Sequence, residues 1–150
     1  MNTKYKVRKD ISKTFRGKTI YRIEALKDFA DVKIGDLGGW VERELNLSDK
    51  GNCWIYDNSI IGGFANVCDH AEIGGNSKIK DNVTIGDKTK TTDYVIIKDD
   101  ATISANIILM DNVIIKSDFA LLLTDNKLIR LGGEIELSET LYWGDDLINY

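Results

Sequence analysis

Few side chains in this 150-residue sequence can do chemistry near neutral pH. His70 is the single imidazole, the group whose ordinary pKa suits general-base work at that pH. One His excludes any site that needs two or three imidazoles from the same chain. Cys53 and Cys68 are too few for a disulfide scaffold and suit a reduced cytosol. Cys53 is also expected to point inward, which argues against a thiolate metal site, so no metal and no cofactor is expected. Lys80, Lys98 and Lys116 recur at eighteen-residue intervals. If that interval returns them to one face, they form a column of like charge. Such a column needs acids beside it, for which Asp81, Asp99, Asp100 and Asp118 are close in sequence, or an anionic partner.

The charge balance narrows the partners. The formal net charge is −4, which argues against a general nucleic-acid coat. Charge is uneven along the chain: residues 1–27 carry nine basic residues and two acids, and residues 134–150 carry five acids and no base. The basic segment, with Tyr5, Phe15 and Tyr21 interleaved, could touch nucleic acid or dock on the acidic tail. No known nucleic-acid motif accompanies it, so nucleic acid is not the expected partner. Residues 1–22 are charged, without the apolar stretch of a signal peptide, and no apolar run reaches the roughly 20 residues of a membrane span. The expectation is a soluble, cytoplasmic chain (the host cytoplasm if phage-encoded).

The elements that must position these groups show as a repeat. From Cys53 the chain divides into twelve hexads, CWIYDN, SIIGGF, ANVCDH, AEIGGN, SKIKDN, VTIGDK, TKTTDY, VIIKDD, ATISAN, IILMDN, VIIKSD and FALLLT. The third position is a branched aliphatic in eleven of them, and Thr91 is the exception. The first position is mostly small or β-branched. The last two are often Asp, Asn or Gly, residues that tolerate the left-handed backbone of a tight corner. A six-residue period does not match a helical turn. It fits a short strand and a corner, repeated, with positions one and three inward and two and four outward. The chain has no Pro, as expected where each strand is paired on both sides. Thr89–Tyr94 either loops out or is a strand that tolerates Thr inside.

This pattern resembles the hexapeptide-repeat left-handed β-helix superfamily, with three strands per coil. The resemblance implies an all-β chain: a left-handed parallel β-helix of about four coils over residues 53–124. Residues 1–52 form a β-rich N-terminal cap, and residues 125–150 a short C-terminal hairpin and helix. Strands are expected at Tyr5–Val7 and Thr19–Ala25 around a Gly17-Lys18 turn, with a tight bend at Gly38-Gly39. A hairpin is expected at Gly132-Gly133, and a short helix from Ser138. Three hexads per coil sort the outward residues. Trp54 falls on the first face. Ile60, Ile96 and Ile114 share the second with the lysine column. An exposed apolar face marks a partner surface, and the superfamily packs as parallel trimers, so a homotrimer is expected. The alternative is that a terminal segment folds over that face.

The run YRIEALKDFADVKIGDLGGWVERELNLSDKGNCWIYDN also resembles uncharacterised phage and prophage proteins, through its GDLGGW-VE, NLS and GNCWIYDN elements. That resemblance implies a phage context and a fold, not a reaction. With no catalytic set recognisable, the first reading is a non-catalytic binding protein that acts on a host factor, either a defence protein or its nucleotide signal. The candidate contact residues are Lys80, Lys98, Lys116, Ile60, Ile96, Ile114 and Trp54. A second reading takes His70 as the general base of a hexapeptide acyltransferase. A third is a structural trimer of a virion. The γ-type carbonic anhydrases share the fold but need three His, which this chain lacks.

Overall fold

The computed structural model describes residues 2–110, 112–118, 120–124, 127–131, 134–137, 141–143 and 146–148, as strand backbone alone from residue 122. The hexads fold as the repeat dictates. The first coil is β4 (Trp54–Ile55), β5 (Ile60–Ile61) and β6 (Asn66–Val67), following three N-terminal strands taken up below. The second is β7 (Glu72–Ile73), β8 (Lys78–Ile79) and β9 (Thr84–Gly86). The third is β10 (Lys90–Thr91), β11 (Tyr94–Ile97) and β12 (Thr102–Ser104). The fourth is β13 (Ile107–Leu109), β14 (Asn112–Lys116) and β15 (Ala120–Thr124). Every third strand stacks in parallel, so a left-handed β-helix of about four coils presents three flat faces.

Registers advance by eighteen residues. Ile61, Ile79, Ile97 and Ile115 stack in one column and Val67, Ile85, Ile103 and Leu121 in another. These side chains are at most 1% exposed. Burying each Ile is worth about 2 kcal/mol, and the columns together form the core. Thr91 occupies the third column between Ile73 and Leu109. It stays inside because its hydroxyl is satisfied, 3.0 Å from Ser77 Oγ and 3.2 Å from the Gly74 amide that donates to it. The TKTTDY block is therefore an ordinary strand, not a loop.

Corners sit at the fifth hexad position. Asp57, Asp69, Asp81, Asp87, Asp93 and Asp99 adopt φ between 54° and 64°, the left-handed region. Three of these carboxylates also tie coil to coil. Asp69 accepts from the Asp87 amide at 2.8 Å, Asp81 from Asp99 at 3.0 Å, and Asp99 from Ser117 at 2.8 Å.

The N-terminal segment extends the second face. β1 (Tyr5–Phe15) and β2 (Lys18–Ala25) form a hairpin whose turn is Arg16-Gly17, one residue earlier than expected. β2 pairs with β3 (Leu37–Val41), which joins β5 in parallel. Gly38 and Gly39 lie inside β3, not at a bend. A Cβ on Gly38 would stand 2.7 Å from the Ile55 carbonyl, and one on Gly39 2.7 Å from the Ser59 carbonyl. These glycines let two backbones approach, a different use from a turn.

At the other end the chain reverses its winding. β16 (Lys127–Leu131) pairs antiparallel with β15, β17 (Glu134–Leu137) with β14, and β18 (Leu141–Trp143) with β13. β19 (Asp146–Ile148) then pairs with β18. β16 and β17 close different faces and do not pair as the expected hairpin, while Gly132-Gly133 lies outside the described residues. Strands occupy the stretch where a final helix was expected, while Ser138 itself lies outside the described residues.

Candidate functional site

The hairpin of β1 and β2 is longer than the strand that carries it. β2 meets β3 from Glu24 to Tyr21, opposite Val41, and Lys18–Ile20 with Phe15 and Arg16 run beyond. This overhang faces the second side of the solenoid and encloses a groove of about 400 Å³. Its apolar lining is Ile20 of the overhang with Ile60, Ile79 and Ile96 of the second face. Phe15 and Phe64 stand in its walls, with the cations Arg16, Lys18, Arg43, Lys78, Lys80 and Lys98. Only Glu42 and Asp81 contribute acid.

Strand alternation generates this arrangement. The outward position two of successive coils gives Ile60, Lys78, Ile96 and Ile114, and position four gives Gly62, Lys80, Lys98 and Lys116. Gly62 leaves open space where a side chain would fill the groove. The lysine column expected from the spacing is present, and three of the four acids expected beside it also accept hydrogen bonds. Asp81 and Asp99 accept corner amides, and Asp100 accepts from Asn82 Nδ2 at 3.0 Å. Register sets Lys116 opposite Glu134 of β17. Among the described residues no carboxylate lies within ion-pair distance of Lys80 or Lys98.

Arg43 reaches the rim from the segment after β3. Its guanidinium lies 4.5 Å from the centroid of the Phe64 ring and donates to Glu42 at 2.9 Å, while its Nε is buried without an acceptor. Phe64 is 72% exposed. It occupies a sixth hexad position where several other blocks have Asn or Asp, and that departure is the sequence signal that could have singled it out. Phe15, Arg16 and Lys18 carry no such signal, because only the length of the hairpin brings them here.

Of the expected contact residues, Lys80, Lys98, Ile60 and Ile96 come together in the groove. Ile60 is 7% exposed, since the chain's own hairpin folds over it. Ile96, Ile114 and Lys116 are half-buried on the same face. Trp54 requires a correction. It points out of the solenoid as expected, yet it is 2% exposed, because Tyr5 and Phe29 pack edge-on against the indole at 6.4 and 5.3 Å. His70 is exposed on a corner leading from the third face to the first, where its Nδ1 accepts from the Asn52 amide at 3.4 Å. It does not line the groove.

Cys53 points inward and is fully buried, as expected. Its neighbour was not foreseen: Lys4, also fully buried, places Nζ 2.5 Å from the Cys53 carbonyl, 3.2 Å from that of Ser48 and 3.3 Å from Cys53 Sγ. Burial lowers the Lys4 pKa, against the pull of Cys53, and burial raises that of the Cys53 thiol. Neither cysteine forms a disulfide, and among the described residues no group of three or more His, Cys, Asp or Glu could hold a metal ion. No helix of the described residues is long and apolar enough to cross a membrane.

No protein-family model matches the chain. Over 40 residues it is 52% identical to the uncharacterised acetyltransferase YdcK of Escherichia coli K12. That stretch is 27% of this chain and 12% of YdcK, so the chain spans about an eighth of the curated relative it matches. The solenoid and this local likeness fit the hexapeptide-repeat β-helix superfamily.

Proposed function

We propose that this chain is a non-catalytic binding protein that captures an anionic partner in the groove between its hairpin and its second face. One observation carries the reading. Six cations and two acids line an isoleucine-rich groove, and among the described residues no carboxylate lies within ion-pair distance of Lys80 or Lys98. Like charges held this close are stabilised by an anion that completes them. In the phage setting suggested by the GDLGGW element, the partner is a host factor, and binding inhibits it. Calorimetry with inorganic tripolyphosphate tests the site. The expected result is salt-sensitive binding that weakens at least tenfold in a Lys80→Ala, Lys98→Ala double variant. Equal binding by wild type and variant would sink the reading.

The likeness to a protein named as an acetyltransferase favours a second reading, acyl transfer with His70 as general base. His70 stands away from the groove, so this reading needs substrate at the corner. A His70→Ala variant that keeps full rate with acetyl-coenzyme A and an amine acceptor removes it.

A further inference from the structure

We infer that the occupant of the groove is a nucleotide, a planar heteroaromatic ring joined to phosphate. This rests on the anion-binding reading above and adds the ring. Three features select a small amphiphilic anion over an acidic protein surface. The site is concave, and its volume of about 400 Å³ falls within the range that holds small ligands; a flat protein face would not enter it. Its floor is apolar, built from Ile60 and Ile96, which a chain of carboxylates does not need. Its rim presents Phe64, a ring 72% exposed with the Arg43 guanidinium close by.

A phenyl ring left in water beside a guanidinium is a stacking platform, since a base has a π-face for both groups. Lys80 and Lys98, one coil apart, are separated by about 4.8 Å along the solenoid. That spacing lets two ammonium groups grip one phosphate chain. The ring then lies at the Phe64 end and the phosphates at the lysine end.

Titration calorimetry on the full chain, with four probes, tests this. The probes are ATP, cyclic di-AMP, inorganic tripolyphosphate and a hexaglutamate peptide. At least one nucleotide is expected to bind about tenfold more tightly than tripolyphosphate, the usual contribution of one stacked base. Phe64→Ala should erase that margin, read as the ratio of nucleotide to tripolyphosphate affinity, and Phe64 is 72% exposed, so the variant is expected to fold. Lys80→Ala should weaken every probe. If both nucleotides only equal tripolyphosphate, the ring inference falls while the anion site stands. If hexaglutamate binds best, the occupant is an acidic peptide and the nucleotide is overturned. If nothing binds, both readings fall together.

Discussion

The two ends of the solenoid solve one problem by opposite means. Each end exposes a ring of backbone groups that the next coil would have paired. At the C-terminal end, backbone answers backbone: β16, β17 and β18 run back along the last coil and pair antiparallel with all three faces. At the N-terminal end, one face gains a strand, β3, and the third face a single parallel bridge from Leu47 to Val67, and side chains do much of the rest. Asn46, fully buried in a 3-10 turn at Glu44–Asn46, donates to the carbonyls of Gly63 and Ala65 at 3.2 and 2.7 Å. Lys4 serves the carbonyls of Ser48 and Cys53. Tyr5 donates its hydroxyl to the carbonyls of Glu44 and Leu47. A cap made of backbone depends on chain direction and tolerates many side chains. A cap made of side chains depends on a few atoms, so single substitutions should be felt there.

The sharpest way to break this contrast is Lys4→Ala. It leaves two carbonyls without their donor and opens a cavity, so about 3 kcal/mol should be lost, or a fall of roughly 10 °C in thermal midpoint. A change under about 2 °C would show that the N-terminal cap is as tolerant as the other. Asn46→Ala should follow at about 2 kcal/mol, read by urea unfolding, because the Gly63 and Ala65 carbonyls and the Arg43 amide all lose a partner. Gly39→Ala should cost about 2 kcal/mol by the same measurement, since the new methyl meets the Ser59 carbonyl.

A pH test follows from Cys68 in the first coil. Burial, with the Asp69 charge adding to it, pushes its thiol up to about 11. An unfolded thiol titrates near 8.5, so between about 8.5 and 11 the folded chain holds the extra proton and stability falls as pH rises. Cys68→Ser should make that decline shallower in thermal scans across this window. An unchanged slope would assign the decline to Cys53 and Tyr5, whose pKa values burial also raises. The smallest effect belongs to the C-terminal end. Glu136→Ala, opposite Ile114 in register, should move stability by about 0.5 kcal/mol or less. A loss as large as that at Lys4 would overturn the contrast.

The same contrast explains what could be read from the sequence. The solenoid, its faces and the lysine column are legible because position three of each hexad repeats what it contacts eighteen residues away. Thr91 breaks the pattern in letters but not in space, since Ser77 and Gly74 meet its hydroxyl. Lys4 was unreadable: in a basic run it looks like a solvated residue, and only tertiary contacts with Ser48 and Cys53 bury it. Trp54 misled for the same reason, because Phe29 comes from a segment without any period. The groove was half legible. Its lysines and isoleucines follow from the repeat, whereas its overhanging wall depends on how far β1 and β2 outrun β3.

The aspartate links between corners make the coil a unit of length. Each carboxylate reaches the corner eighteen residues on, and nothing in that bond refers to either cap. Duplicating one coil therefore lengthens the rod by about 4.8 Å and keeps both ends intact, and deleting one shortens it by the same step. A chain built this way changes its reach by whole increments, as a ruler does, and carries its lysine column along with each added mark.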